Sequence, residues 1–243
     1  MFDWTKLTKN PTDKHVIPQM QAFLASLPAF YPSSRADFLR DYFRKQRALD
    51  IGAGEHDAGC YNEDRWEHGI ITKVASASLG VDINPEVCEH YTKQGYRFVC
   101  ADATSEIDLG ERFDRVFLGD VIEHVNNPVA LLNFAKRHLA AGGKILISTP
   151  NPFCLSFQRA RRKSTNRPFF MANFEHLSWV TPTNANELAR RAGLTFARIY
   201  FPQIAFSNVR SPRDFGKALN SRWWRARGRP ELAHKEYIYE FTA

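Results

Sequence analysis

Residues 48–54 read A-L-D-I-G-A-G, and no other stretch limits the fold of this chain so strongly. A short apolar run with an acid at Asp50 and glycines at Gly52 and Gly54 is the pattern of a buried strand turning sharply into a helix. Glycine there lets the backbone approach a ligand with no Cβ in the way. A tight turn with no ligand is the bland alternative.

Downstream, strand and helix patterns alternate. Strands are expected at 49–52, 78–83, 97–100, 113–118 and 144–148, with helices at 64–75, 85–94 and 127–139. Pro85 suits a first helical turn and Gly95 a helix stop, while Asn126 or Asn127 caps the next helix and Gly142-Gly143 closes it. This alternation predicts an α/β fold, a doubly wound and mostly parallel sheet covered by helices on both faces. Ligands in that architecture bind outside the C-terminal ends of strands. Asp50, Asp82, Asp102 and Asp120 all stand at or beside such ends. One acid there is commonly a helix cap or a solvated loop residue; four in register argue for a shared task.

Charge narrows the ligand. A dinucleotide rests its pyrophosphate on a helix N-terminus, where bare N–H groups welcome anions. Here the turn is crowded by Asp50, Glu55 and Asp57, and Gly52, Gly54 and Gly59 give G-x-G-x-x-x-x-G rather than G-x-G-x-x-G. An acidic, glycine-rich turn suits a cationic ligand with an amino-acid end, such as S-adenosylmethionine.

With L-D-I-G-A-G, L-G-V-D-I-N-P, C-A-D-A, F-D-R-V-F-L-G-D-V-I-E-H-V-N-N-P and L-A-A-G-G-K-I-L-I-S-T-P-N-P in this order, the chain resembles the class I S-adenosylmethionine-dependent methyltransferases over roughly 49–152. In motif style it is similar to the ubiquinone-type and the bacterial glycan and small-molecule O-methyltransferases. The resemblance implies a Rossmann-like, seven-stranded sheet whose last strand is antiparallel. It implies S-adenosylmethionine as cofactor and gives the residues roles. Gly52, Ala53 and Gly54 would cradle the methionine end, with Asp50 near the ammonium. Asp82 would accept from the ribose hydroxyls and Ile83 would pack on the adenine. Asp102 would accept from the adenine amino group beside the Ala103 N–H, and Asp120 and Val121 would wall the sulfonium. Glu123-His124 resembles the E-H pair of ubiquinone-type enzymes, where His124 is either catalytic or a pocket-shaping residue. The first turn departs from the family in lacking a third glycine soon after G-x-G.

One methyltransferase domain is expected: an N-terminal helical cap at 1–46, a cofactor core at 47–150, and an acceptor lid with C-terminal strands at 151–243. In the cap, helices are expected at 17–27 and 34–46, the second capped by Ser33 or Ser34. In the tail, a helix at 182–192 stops at Gly193, followed by strands at 194–201 and 236–241 around an irregular basic stretch at 206–230. The connection at 151–179 is long enough to be a lid. It carries Phe153, Phe157, R-A-R-R-K, Phe169, Phe170, Met171 and Phe174, then Glu175 and His176. A hydroxyl acceptor needs a base near it, and His176 is preferred over His124, with Glu175 either orienting it or pairing with an arginine. An ordinary loop histidine is the competing interpretation.

Asn151-Pro152-Phe153 is not the adenine-methylating N-P-P-[FY] motif, because it follows the fifth strand and lacks one proline. No metal site is expected. The net charge of +7 gathers at 159–163 and 222–229. That points to an anionic acceptor such as a nucleotide sugar or phosphorylated glycan, with RNA or tRNA as the less favoured partner. S-R-W-W-R-A-R-G-R would stack on bases or form a surface helix. A non-catalytic cofactor-binding protein is the third possibility. Apolar content of 44% rules out a disordered chain, and no apolar run reaches the ~20 residues of a membrane span. No secretory signal is read at the start, and Cys60, Cys88, Cys100 and Cys154 are singles, so a reduced cytoplasmic protein is expected.

Overall fold

Helix and strand signals alternate along the chain as expected, and a computed structural model gives their bounds; it describes residues 1–54, 66–158, 173–203 and 205–243. In order come α1 (Ile17–Ser26), β1 (Ala29–Phe30), α2 (Arg35–Phe43), β2 (Arg47–Ile51), α3 (Glu67–Thr72), β3 (Ala77–Asp82), α4 (Pro85–Lys93) and β4 (Phe98–Cys100). There follow β5 (Phe113–Gly119), α5 (Pro128–Arg137), β6 (Leu139–Pro150), α6 (Pro182–Ala192), β7 (Thr195–Tyr200), α7 (Pro212–Ala226) and β8 (Glu236–Thr242). Helix starts follow side-chain chemistry. Ser34, Asn84, Asn127, Thr181 and Ser211 each accept from a backbone N–H of the first turn. Gly193, with φ of 63°, ends α6 in the left-handed conformation.

The strands form one sheet in the order β1-β7-β8-β6-β5-β2-β3-β4. Strand β8 runs antiparallel to both neighbours, and the other pairings are parallel. Alternation along β2 feeds two cores. Leu49 and Ile51 join Val116, Leu118, Ile145 and Ile147 under α5 and α6, while Ala48 joins Phe117, Leu146 and Ile238 under α2 and α3. Asp50 shares the face of Ala48, so it is buried beneath α3. Trp66 stacks on Tyr91 of α4 at 4.2 Å and closes a smaller core.

Four expectations need correction. Among the described residues the sheet has eight strands, not seven, because Ala29–Phe30 pairs in parallel with Ile199 and Tyr200 of β7. A strand of two residues, set in the three between Pro28 and Pro32, is too short to show a pattern. Helix α3 is shorter than 64–75. Helix α5 stops at Arg137 and not at Leu139, and Gly142-Gly143 lie inside β6, where the register shifts opposite 113–115. The stretch at 206–230 is not irregular, since most of it is α7. Among the described residues, no helix is long and apolar enough to cross a membrane.

Candidate functional site

Strands β2, β3 and β5 end along one edge of the sheet, and the turn after β2 is the centre of that edge. Gly52 has φ of 69°, and Gly52 and Ala53 donate to Val81 O at 2.8 and 3.1 Å, which locks the turn to β3. A Cβ on Gly52 would stand 2.3 Å from Val121 Cγ2, and one on Gly54 would stand 2.1 Å from Val87 Cγ1. Neither position tolerates a side chain. Gly54 N donates to Asp82 Oδ2 at 3.0 Å, and Asn84 N donates to Oδ1 at 2.9 Å, so the Asp82 carboxylate is held in orientation.

Asp50 is 3% exposed and meets His68 Nδ1 at 3.0 Å. Burial raises the Asp50 pKa, opposed by His68 beside it. The Nε2 of His68 has no partner among the described residues, although it is buried and the residue lines the cavity. Asp102 is held below the usual carboxylate range by the Thr104 hydroxyl and N–H, both 2.7 Å from Oδ1. Ile83 is 69% exposed at the same edge.

Asp120 adopts φ of 52°, a conformation that L residues other than Asn and Asp seldom take. Its N–H donates to Ser148 Oγ at 3.0 Å, and its Oδ2 accepts from Arg35 at 3.1 Å. Arg35 also binds Glu67, Glu236 and Ser148. Burial opposes the Arg35 charge, but Glu67, Glu236 and Asp120 together hold it protonated. Burial pushes the Glu67 carboxyl up to about 7 despite Arg35.

Across the cavity, Glu123 is fully buried and takes a hydrogen bond from Thr149 Oγ1 at 3.1 Å. Burial, and then the Asp120 charge, push it up to about 7. Its Oε1 lies 3.9 Å from His176 Nε2, and His124 Nδ1 lies 3.8 Å from Glu175 Oε2. The two imidazoles meet edge to face at 4.7 Å. Donor atoms of Glu123, His124 and His176 all fall within 4.8 Å of one another. One oxygen and two nitrogens at that spacing could hold a divalent cation, an arrangement the sequence did not suggest.

Asp50, Gly52, Ala53, Gly54, Asp82, Ile83, Asp102, Ala103, Asp120, Val121, His124 and His176 all line one cavity of about 950 Å³. The structure thus places the ten candidate cofactor residues and both candidate bases on one cavity. It adds Arg35, Glu67 and His68, which sequence reasoning missed, and it pairs Glu123, known from sequence only as half of the Glu123-His124 motif, with His176. One signal was available for Arg35: it is the first residue of α2, where the helix dipole disfavours a cation. Three carboxylates explain its presence there. Glu55, Asp57, Gly59 and the run at 159–163 lie outside the described residues, as do Phe169, Phe170 and Met171.

A family model described as a methyltransferase domain matches residues 19–198. A ubiquinone biosynthesis O-methyltransferase of Cereibacter sphaeroides is 30% identical over 174 residues, covering 65% of this chain and 66% of that protein. An uncharacterised protein of Methanocaldococcus jannaschii is 30% identical over 114 residues, 47% of this chain and 49% of its own length. The chain therefore spans from about half to just under two thirds of these curated relatives. The crystal structure of a SAM dependent methyltransferase from Archaeoglobus fulgidus superposes with a TM-score of 0.55 at 20% identity, covering 86% of this chain and 92% of that one. Another from Mesorhizobium loti gives 0.54 at 15% identity, with 84% and 95% covered. These two structures show the shared fold.

Proposed function

The chain belongs to the methyltransferase domain family, and on that premise we propose that it transfers a methyl group from S-adenosylmethionine to a hydroxyl oxygen of a small-molecule or glycan acceptor. One observation carries the reading: four strand-end carboxylates and a glycine turn surround a single cavity of about 950 Å³.

The residues fit that cofactor. Gly52 and Gly54 keep the turn beside the cavity free of side chains at those positions, and among the described residues the buried, cavity-lining His68 Nε2 has no partner. When bound, the cofactor supplies an electrophilic methyl on a sulfonium. Asp82, already oriented by two backbone N–H groups, accepts from the ribose hydroxyls. Ile83 offers its exposed face to the adenine, with Asp102 and the Ala103 N–H at the ring edge. Gly52, Ala53 and Gly54 would take the methionine end. Asp50 acts through His68, which takes up its oxygen at 3.0 Å. Asp120 and Val121 wall the reacting centre.

On the acceptor side, His176 is the preferred base. Its partner Glu123 is buried, whereas Glu175 opposite His124 is exposed, and a buried carboxylate stabilises an imidazolium more strongly. At 3.8–3.9 Å neither pair is within hydrogen-bond reach, so this role requires a bound acceptor to draw them closer. Among the described lining residues, seven carboxylates accompany one arginine. Such a lining favours a neutral hydroxylated acceptor over a phosphorylated glycan or a nucleic acid.

Isothermal titration with S-adenosylhomocysteine, followed by methyl transfer to panels of sugars, phenols, amines and tRNA, tests this. Binding with transfer to a hydroxyl is expected. No binding, or binding of a nicotinamide dinucleotide instead, overturns the cofactor; transfer only to amines or tRNA overturns the acceptor.

A further inference from the structure

Helix α7 turns an apolar stripe toward solvent. Pro212, Phe215, Leu219, Trp223 and Ala226 fall on one side of the helix and all are exposed. Phe215, Leu219 and Trp223 are 49%, 46% and 47% exposed, while the buried side offers only Ala218 and Ser221. The Phe206 ring, 6.0 Å from that of Phe215, lengthens the stripe. Basic residues border it: Arg222 lies over Phe206 at 3.8 Å and Arg227 over Trp223 at 3.5 Å. Residues 206–229 hold seven basic side chains and one acid, Asp214.

We propose that α7 docks on an anionic lipid bilayer, with its axis in the plane of the interface. A helix with Phe, Leu and Trp on one face and arginines at its borders suits that boundary, where the apolar side chains enter the acyl region and the cations meet lipid phosphates. A second copy would bring two strongly basic faces together. RNA would need stacking platforms, and Leu219 at the centre of the stripe has no π face. The location adds a consequence. Tyr200 ends β7 and Glu236 begins β8 opposite Pro150, so α7 hangs from the same sheet edge as the cavity. Docking therefore brings that edge to the bilayer. The inference is independent of the methyl-transfer reading.

Flotation of the full chain tests it, with vesicles of phosphatidylcholine alone and of phosphatidylcholine with phosphatidylglycerol at roughly 7:3. The protein is expected to float with the mixed vesicles only, with a blue shift of tryptophan emission and weaker binding at high salt. Leu219→Glu, and separately the pair Arg213→Glu and Arg227→Glu, should lower partitioning at least about tenfold. Wild-type circular dichroism and S-adenosylhomocysteine affinity in these variants separate lost docking from misfolding. The proposal is overturned if the protein ignores mixed vesicles or binds neutral ones equally. It is overturned as well if tRNA is bound and vesicles are not, or if Leu219→Glu dissociates a dimer that never binds lipid.

Discussion

Asp82 is fixed by two backbone donors before any ligand arrives, so little reorganisation is needed to bind one. Asp82→Ala is expected to raise the dissociation constant for S-adenosylhomocysteine at least about tenfold by isothermal titration. Unchanged affinity would remove Asp82 from the site. Glu123 has the opposite character, a buried carboxyl raised from the ordinary 4.5 to about 7. Because its folded value lies above its unfolded one, its contribution favours the fold below about pH 4.5 and is lost as pH rises to about 7. Glu123→Gln should therefore stabilise the protein at pH 8 by on the order of 2 kcal/mol, a gain absent at pH 4. The same variant should slow methyl transfer, since His176 loses its carboxylate. Denaturant titrations at the two pH values, with turnover at pH 8, check both statements. Asp82 was legible as a strand-end acid, but Glu123 took its character from burial that no local pattern reveals.

At the scale of elements, the turn after β2 is the least replaceable segment. Gly52 combines a left-handed φ with a neighbour 2.3 Å from any Cβ, whereas Gly95, with φ of 90°, has nothing within 4 Å. Gly52→Ala should cost clearly more than the ~1 kcal/mol that positive φ alone imposes on Gly95→Ala. It should also abolish S-adenosylhomocysteine binding. Equal unfolding midpoints for the two variants would refute the close approach. Strands β2, β3 and β5 were readable as apolar runs ending in acids. The short β1 and the interior of β6 were not. Ala29–Phe30 is a strand only because β7 offers it an edge, and Gly142-Gly143 imitate a helix stop while serving a bulge.

Over the whole molecule, Arg35 ties α2 to α3, to the end of β5 and to the start of β8 through Glu67, Asp120 and Glu236. The N-terminal segment is thus part of the cavity wall. Arg35→Met leaves those carboxylates without their cation and is expected to destabilise the chain by on the order of 3 kcal/mol at pH 8. Acid should relieve the loss, because Glu67 and Glu236 are already raised by burial and take up protons more readily without Arg35. An equal loss at pH 8 and pH 5 would refute the ionic origin. This junction joins residues up to 201 positions apart, so the one local hint, a cation opening α2, could not name its partners.

Apolar period and turn chemistry sufficed to specify alternating strands and helices, the sharp turn at Gly52 and the acids at the strand ends. These are local properties, decided by side-chain direction and backbone freedom within a few residues. Tertiary structure alone decided which groups share a dielectric and a field. It set Asp50 against His68, Glu123 against His176 and Arg35 among three acids, and it turned the apolar side of α7 outward. Electrostatics and burial act through space, across separations that a reading along the chain does not contain.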